Sequence, residues 1–256
     1  MSAITPLVPH LERVLEAKSI QAIWDLHLAK MAEYGFDRLI YGFTRFRTSQ
    51  DSFGNADDVL MLSNHEPAYL DAFIYSGLYI NGPMVRWALA NEGAASWRLI
   101  YEFLSRGDLT PGERRLMELN ARFNVSAGYS ISFRDPSVRA KGAIGLCARP
   151  GLSQDDVEAM WAVHGREIIV INNITHMKLT GMPFASSRRA LTPRQREVLE
   201  WVGDGKTTQD IATIMGLTPA TVEKHLRLAR EALDVETTAQ AVLKASYQNQ
   251  IFIVPN

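Results

Sequence analysis

The chain has 256 residues, a net charge of −1, 46% apolar residues and 21% charged ones. This is the composition of a folded globular protein with an ample core; it excludes a disordered chain, and any basic surface must be local. No apolar run reaches the roughly 18 residues of a membrane span, the N-terminus lacks a secretory pattern, and Cys147 stands alone, so a reducing cytoplasm without internal disulfides is expected.

The first twenty residues open on a helix. Ile20, Ile23, Trp24, His27, Leu28 and Met31 then recur at helical spacing behind Ser19 as N-cap, and Gly35 ends that helix. LIYGFTRF (39–46) and DVLMLS (58–63) have strand character. YSISFRDPSVRAKGAIGLCA (129–148) predicts a hairpin, with Tyr129, Ile131 and Phe133 alternating and Asp135-Pro136-Ser137 turning. Ser153 and Asp156 approximate a capping box and start a long helix through Val157, Met160, Trp161, His164, Ile168 and Ile171. Helices before and after an antiparallel sheet predict an α+β domain with helices on both sheet faces.

Residues 175–190, with Gly181, Pro183, Ser186 and Ser187, read as a linker between a first domain (1–174) and a second (191–256). The second domain reads as all-helical. Thr192-Pro193 starts one helix that ends near Gly203–Gly205. Residues 207–215 form another, closed by Gly216. Thr218 caps a third with Pro219 at its first position, and Thr237 or Thr238 caps a fourth. The Gly216-Leu217 turn between helices two and three has helix-turn-helix form.

On the third helix, Val222, Leu226, Ala229 and Leu233 share one face and should point inward. The opposite face carries Ala220, Thr221, Lys224, Arg227 and Leu228, with His225 beside it. Short side chains near the N-terminal end admit close approach to a major groove, donors read base edges, and cations meet phosphates.

LTPRQREVLEWVGDGKTTQDIATIMGLTPATVEKHLRLAREALDV (191–235) resembles the DNA-binding domain of the LuxR family of bacterial regulators. The resemblance rests on Leu191-Thr192-Pro193-Arg194, Glu197-Val198-Leu199, Gly205-Lys206-Thr207, Ile211-Ala212, Gly216-Leu217 and Thr221-Val222-Lys224-His225-Leu226. Gln195 departs from the family's Glu. The resemblance implies contacts to double-stranded DNA from Lys206, Thr207, Thr221, Lys224, His225 and Arg227. It also implies a homodimer on a two-fold operator, and RNA polymerase as a further partner. Arg188 and Arg189 are additional candidates for phosphate contact.

Over the first domain the resemblance is to the autoinducer-binding domain of LuxR-type quorum sensors. It implies an α/β/α sandwich that also dimerises and that holds an N-acyl homoserine lactone. NHEPAYLDAFIYSGLYINGPMVRWALANEGAASW (64–97) follows the family pattern, keeping Pro83 and Trp97, and Gly128 matches a family Gly. The departures fall on the expected ligand contacts. His65 stands for Tyr, Tyr69 for Trp, Phe73 for Tyr, and Gly82 for the Asp that accepts the amide N–H; the returning strand GAIGLC (142–147) carries no hydroxyl. Asn81 or water could replace part of the lost bonding. Tyr41, Phe43, Tyr69, Phe73, Tyr79, Trp87, Trp97 and Phe103 are candidate walls. Three ligand readings stay open: a different signal or none, the standard lactone in a compensated pocket, and a domain that only dimerises with itself or another protein.

An enzyme is the main competing class. The six histidines, His10, His27, His65, His164, His176 and His225, form no HExxH spacing, and there is no GxSxG or P-loop. No metal or cofactor is expected. A phospho-acceptor domain would need an acid-tipped opening strand, which the opening helix does not provide.

Overall fold

The computed structural model describes residues 4–47, 53–54, 58–105, 107, 109–135, 137–184 and 190–252. It divides into two compact units, Met1–Thr180 and Gly181–Asn256.

In chain order the first unit comprises α1 (Leu7–Glu16), α2 (Ile20–Glu33), β1 (Phe36–Thr44), β2 (Leu60–Ser63) and α3 (Pro67–Leu70). A π-turn (Asp71–Tyr75) and a 3-10 turn (Leu78–Asn81) follow, then α4 (Pro83–Ala90), β3 (Gly93–Ser96), α5 (Arg98–Ser105), α6 (Pro111–Arg122), β4 (Gly128–Ser132), β5 (Lys141–Ala148) and α7 (Gln154–Thr180). The five strands form one antiparallel sheet in the order β2-β1-β5-β4-β3. Helices α1, α2 and α7 cover one face; α3 to α6 pack over the other. The expected hairpin is β4 and β5, with Ser130 opposite Gly145; its Pro136 lies outside the described residues.

Local chemistry sets the element ends. The Ser19 hydroxyl accepts the Ala22 N–H, and Gly35 at φ +91° closes α2. Ser153 and Asp156 form the reciprocal cap of α7, the Asp156 carboxylate accepting the Ser153 N–H at 2.9 Å.

The linker begins later than the sequence suggests. Helix α7 runs through Thr180, six residues into the segment read as linker. Thr175, His176 and Leu179 are 3%, 6% and 0% exposed and continue the inward stripe of α7. The stripe is invisible to hydropathy because two of the three are polar. Thr175 Oγ1 lies 3.1 Å from His27 Nδ1, and His176 Nδ1 lies 2.9 Å from the Tyr41 hydroxyl.

The second unit holds α8 (Pro193–Gly203), α9 (Thr208–Met215), α10 (Pro219–Leu233) and α11 (Thr238–Tyr247). Its core is separate from that of the first unit and is built from Val198, Leu199, Ile211, Val222, Leu226 and Ala241, among others. Each fully buried Val or Leu contributes about 1.5–3 kcal/mol. Thr192, Thr207 and Thr237 each close a capping box, with Gln195, Asp210 and Gln240 respectively. Thr237, not Thr238, caps the last helix.

Candidate ligand pocket and nucleic-acid interface

The two-residue period of β1 assigns its side chains to opposite sheet faces. Tyr41 and Phe43 point to the α2 and α7 side. Tyr41 packs on Trp24 and Phe133, Phe43 meets the His176 ring edge-on at 5.3 Å, and Phe133 stacks on His176 at 4.1 Å. The His176 Nε2 lies 3.4 Å from Asp135, so Nδ1 is free to accept from Tyr41. Tyr41 and Phe43 therefore leave the set of expected pocket residues. The reason is parity: their neighbour Ile40 faces the other layer and packs against Tyr69, Phe73 and Leu116.

On that other face the remaining expected residues converge in two groups. His65 stacks on Tyr69 at 4.7 Å, Tyr69 on Phe73 at 5.3 Å, and Phe73 meets Tyr79 edge-on at 6.4 Å. Burial, then Arg38, lowers the His65 pKa to about 4, so this ring is a neutral platform. The Tyr69 hydroxyl donates to Asn120 Oδ1 at 3.0 Å. Trp97 lies with Met84, Ala95 and Cys147, and its indole N–H donates to Ser130 Oγ at 3.0 Å. Burial pushes the Cys147 thiol up to about 12, so it is an inert wall group. A Cβ on Gly128 would lie 2.1 Å from the Leu146 carbonyl and 3.0 Å from the Trp97 ring. Glycine is what lets that indole lie on the sheet.

Gly82 is the N-cap of α4 and Pro83 its first residue. The Gly82 N–H donates to the Tyr79 carbonyl at 2.8 Å. A Cβ there would meet that carbonyl at 3.0 Å and Val85 at 3.2 Å. The Asn81 side-chain N–H donates to Leu78 O at 3.2 Å, and the side chain packs on Gly112 of α6. Trp87 packs on the Trp97 group, and Phe103 lies under the Arg86 guanidinium.

The floor of this side is the centre of the sheet. Ile40, Gly42, Ala143 and Gly145 keep accessible surface, whereas Leu39, Tyr41, Ile144 and Leu146 behind them are buried. Gly42, Ala143 and Gly145 make this part of the floor small-sided. Sequence reasoning missed Asn120, Ser130 and Cys147. Ser130 was findable, because alternation with Tyr129 and Ile131 puts it on the opposite face of β4, one strand away from the hydroxyl-free β5. Asn120 comes from α6, distant in sequence, and had no local signal.

In the second unit α9, the turn at Gly216 (φ +66°) and α10 form the helix-turn-helix. Val222, Leu226, Ala229 and Leu233 are 0%, 4%, 0% and 2% exposed, as the helical period requires. Lys224 and Arg227 are exposed on the outer face, and Thr221 and His225 are half-buried beside it. Arg227 is ion-paired with Glu231. Exposed Lys206 precedes α9, and Thr207 is occupied as its cap, donating to Asp210 at 2.7 Å. The Thr221 hydroxyl shares a hydrogen bond with Thr218 at 2.9 Å. Arg188 and Arg189 lie outside the described residues.

Comparison with known proteins assigns both units. Residues 19–179 match the autoinducer binding domain, and residues 189–245 match the bacterial regulatory proteins of the luxR family. The transcriptional activator protein AnoR of Acinetobacter nosocomialis is 23% identical over 245 residues, 92% of this chain and 94% of AnoR. Escherichia coli SdiA has the same fold, with a TM-score of 0.51 at 16% identity over 96% of this chain and 98% of SdiA. SdiA in complex with octanoyl-rac-glycerol matches with a TM-score of 0.50 at 15% identity, over 94% and 93%. No described helix is long and apolar enough to cross a membrane.

Proposed function

This chain belongs to the LuxR family of quorum-sensing transcriptional regulators with an autoinducer-binding domain, and we propose that it binds a two-fold operator in the cytoplasm as a homodimer under the control of a signal other than a standard N-acyl homoserine lactone, or of none. The observation that carries the ligand reading is that donors expected to face the signal already have partners within the protein. The Tyr69 hydroxyl is bonded to Asn120, the Trp97 indole to Ser130, and the Asn81 amide to Leu78. With Gly82 in the place of the acid, a lactone's amide N–H has no charged acceptor there. Each unmade buried hydrogen bond costs about 1–3 kcal/mol, so two or three weaken the standard signal by several powers of ten. Octanoyl-rac-glycerol, found with SdiA, supports a pocket of this fold accepting an acyl group on a partner other than a lactone.

Lys206, Lys224 and Arg227 are the phosphate-facing cations of the proposed interface; Thr207, Thr221 and His225 lie between them, and RNA polymerase is a further proposed partner.

The ligand test is expression of the full chain without added lactone, followed by thermal melts with and without N-acyl homoserine lactones. A soluble, folded chain that micromolar lactone leaves unshifted is expected. Insolubility rescued by sub-micromolar lactone defeats this reading. Gly82→Asp should gain lactone response if neighbours yield a few tenths of an ångström at Tyr79 and Val85. The DNA reading predicts that Lys224→Ala and Arg227→Ala reduce the salt slope of operator binding by about one unit for each phosphate that is no longer neutralised, with melting unchanged. Unaltered binding in both variants rejects this face.

A further inference from the structure

The second unit does not end at its last helix. Beyond α11, residues 248–252 fold back over the segment by which the chain enters that unit. The Gln248 carbonyl accepts the Phe184 N–H at 3.1 Å. The Asn249 side chain donates to the Met182 carbonyl at 3.2 Å. Gln250 accepts the Leu191 N–H at 3.3 Å and donates to Gln248 Oε1 at 2.7 Å. The Phe252 N–H donates to Glu200 of α8 at 2.9 Å. A Cβ on Gly203 would lie 2.6 Å from the Phe252 ring, so the ring rests on the end of α8.

Gln248 and Gln250 are 0% and 3% exposed. Gln250 commits its amide to the Leu191 N–H of the entry segment and to Gln248 Oε1, which offsets the cost of burying it. Gln248 Nε2 is buried without a partner among the described residues. Phe184 is itself 8% exposed. The matched luxR family region stops at residue 245, so this strap lies beyond it.

The consequence concerns tether length. The Thr180 carbonyl at the end of α7 accepts from Arg45 at 3.1 Å, which anchors the first unit to its last residue. Met182 is anchored by the strap, and Gly181 alone lies between. Beyond Phe184, the next core residue among the described residues is Leu191, 3% exposed. A free chain from residue 180 to 191 spans up to roughly 38 Å, against about 7 Å from 180 to 182.

Resting on the two-fold operator reading above, we propose that the C-terminal strap, residues 248–252, sets the half-site spacing that the protein accepts by fixing residues 182–184 to the DNA-binding unit. Gln248, Asn249 and Gln250 are positioning residues: they hold Phe184, Met182 and Leu191. A short tether lets both DNA-binding units engage only where the geometry fits; a long one tolerates many spacings.

The test compares the full chain with a variant ending at Tyr247 and with Asn249→Gly/Gln250→Ala, which removes the side-chain bonds to Met182 and Leu191. A two-fold operator is first selected by the full chain from a random duplex pool. Probes are one half-site alone and the operator lengthened in single base pairs through half a helical turn. The full chain should lose about a hundredfold between best and worst spacing, and both variants less than about tenfold, with half-site affinity held within about twofold. The Phe184 amide should exchange faster in the variants while amides in the middle of α8 and α10 keep their protection. If truncation unfolds the unit, the double variant carries the same comparison. A variant that keeps the full chain's spacing profile overturns the strap alone. A full chain indifferent to spacing overturns the operator reading and the strap with it.

Discussion

His27 is buried between α2 and α7, its Nε2 3.1 Å from Asn172 Oδ1 and its Nδ1 3.1 Å from Thr175. Burial, then His10, lowers its pKa to about 3; burial, then Arg38, lowers that of His65 to about 4. Both values lie below the ordinary histidine pKa of about 6.5, so the unfolded chain binds protons first as pH falls. The stability these rings support is complete above about pH 6.5 and is lost as pH falls toward the folded values. Glu113, Glu158 and Asp210, held low by hydrogen bonds, act only below their ordinary values. His27 and His65, with His10 lowered in the same direction, therefore govern the window between about pH 6.5 and 5, where the unfolding free energy from urea titration should fall by up to about 1.4 kcal/mol per pH unit for each ring. His65→Phe keeps the stack on Tyr69 and should lessen that fall, leaving the His27 part; an unfolding free energy constant across the window in the unmodified chain contradicts the account. At this scale the sequence misled where parity was ignored. Tyr41 and Ile40 are adjacent and equally apolar in reading, yet only Ile40 faces the Tyr69 layer.

The elements of the second unit were legible almost to the residue, because their ends are chemical. Thr207 accepts the Asp210 N–H at 3.2 Å while the Asp210 carboxylate accepts the Thr207 N–H at 3.0 Å. Thr207→Ala should cost about 1 kcal/mol of stability, seen as a lower urea midpoint for the second unit. Gln195, where the family carries Glu, accepts the Thr192 N–H at 2.8 Å and so does the same capping work without charge. Gln195→Glu should add about 0.5 kcal/mol through the N-terminal dipole of α8, with operator affinity unchanged; a loss of stability would mean that Gln195, 8% exposed, tolerates no charge there. Residues 64–127 were less legible. Helices α3, α4 and α5 are 4, 8 and 8 residues long, and α3 gives way to a π-turn at Asp71, so little helical period accumulates there; α6 carries a Thr110/Glu113 capping box that sequence reasoning missed.

The whole molecule is two units with separate cores, so unfolding should not be a single transition. Residues 181–256 expressed alone should show helical circular dichroism and melt cooperatively, since Val198, Leu199, Ile211, Val222 and Leu226 are all buried within that unit. A disordered fragment would show that its stability depends on the first unit. By itself the sequence determined the class of both domains, the helix caps and the outward face of α10. Those follow from period, capping chemistry and fixed motif spacing, all of which are local. Only the tertiary structure decided that Tyr41 lies behind the sheet, that α7 continues through buried polar residues to Thr180, that Asn120 and Ser130 occupy the donors of Tyr69 and Trp97, and that residues 248–252 hold the entry to the second unit. Each of these joins groups distant along the chain, and their meeting is set by packing and hydrogen-bond satisfaction, which no local pattern records.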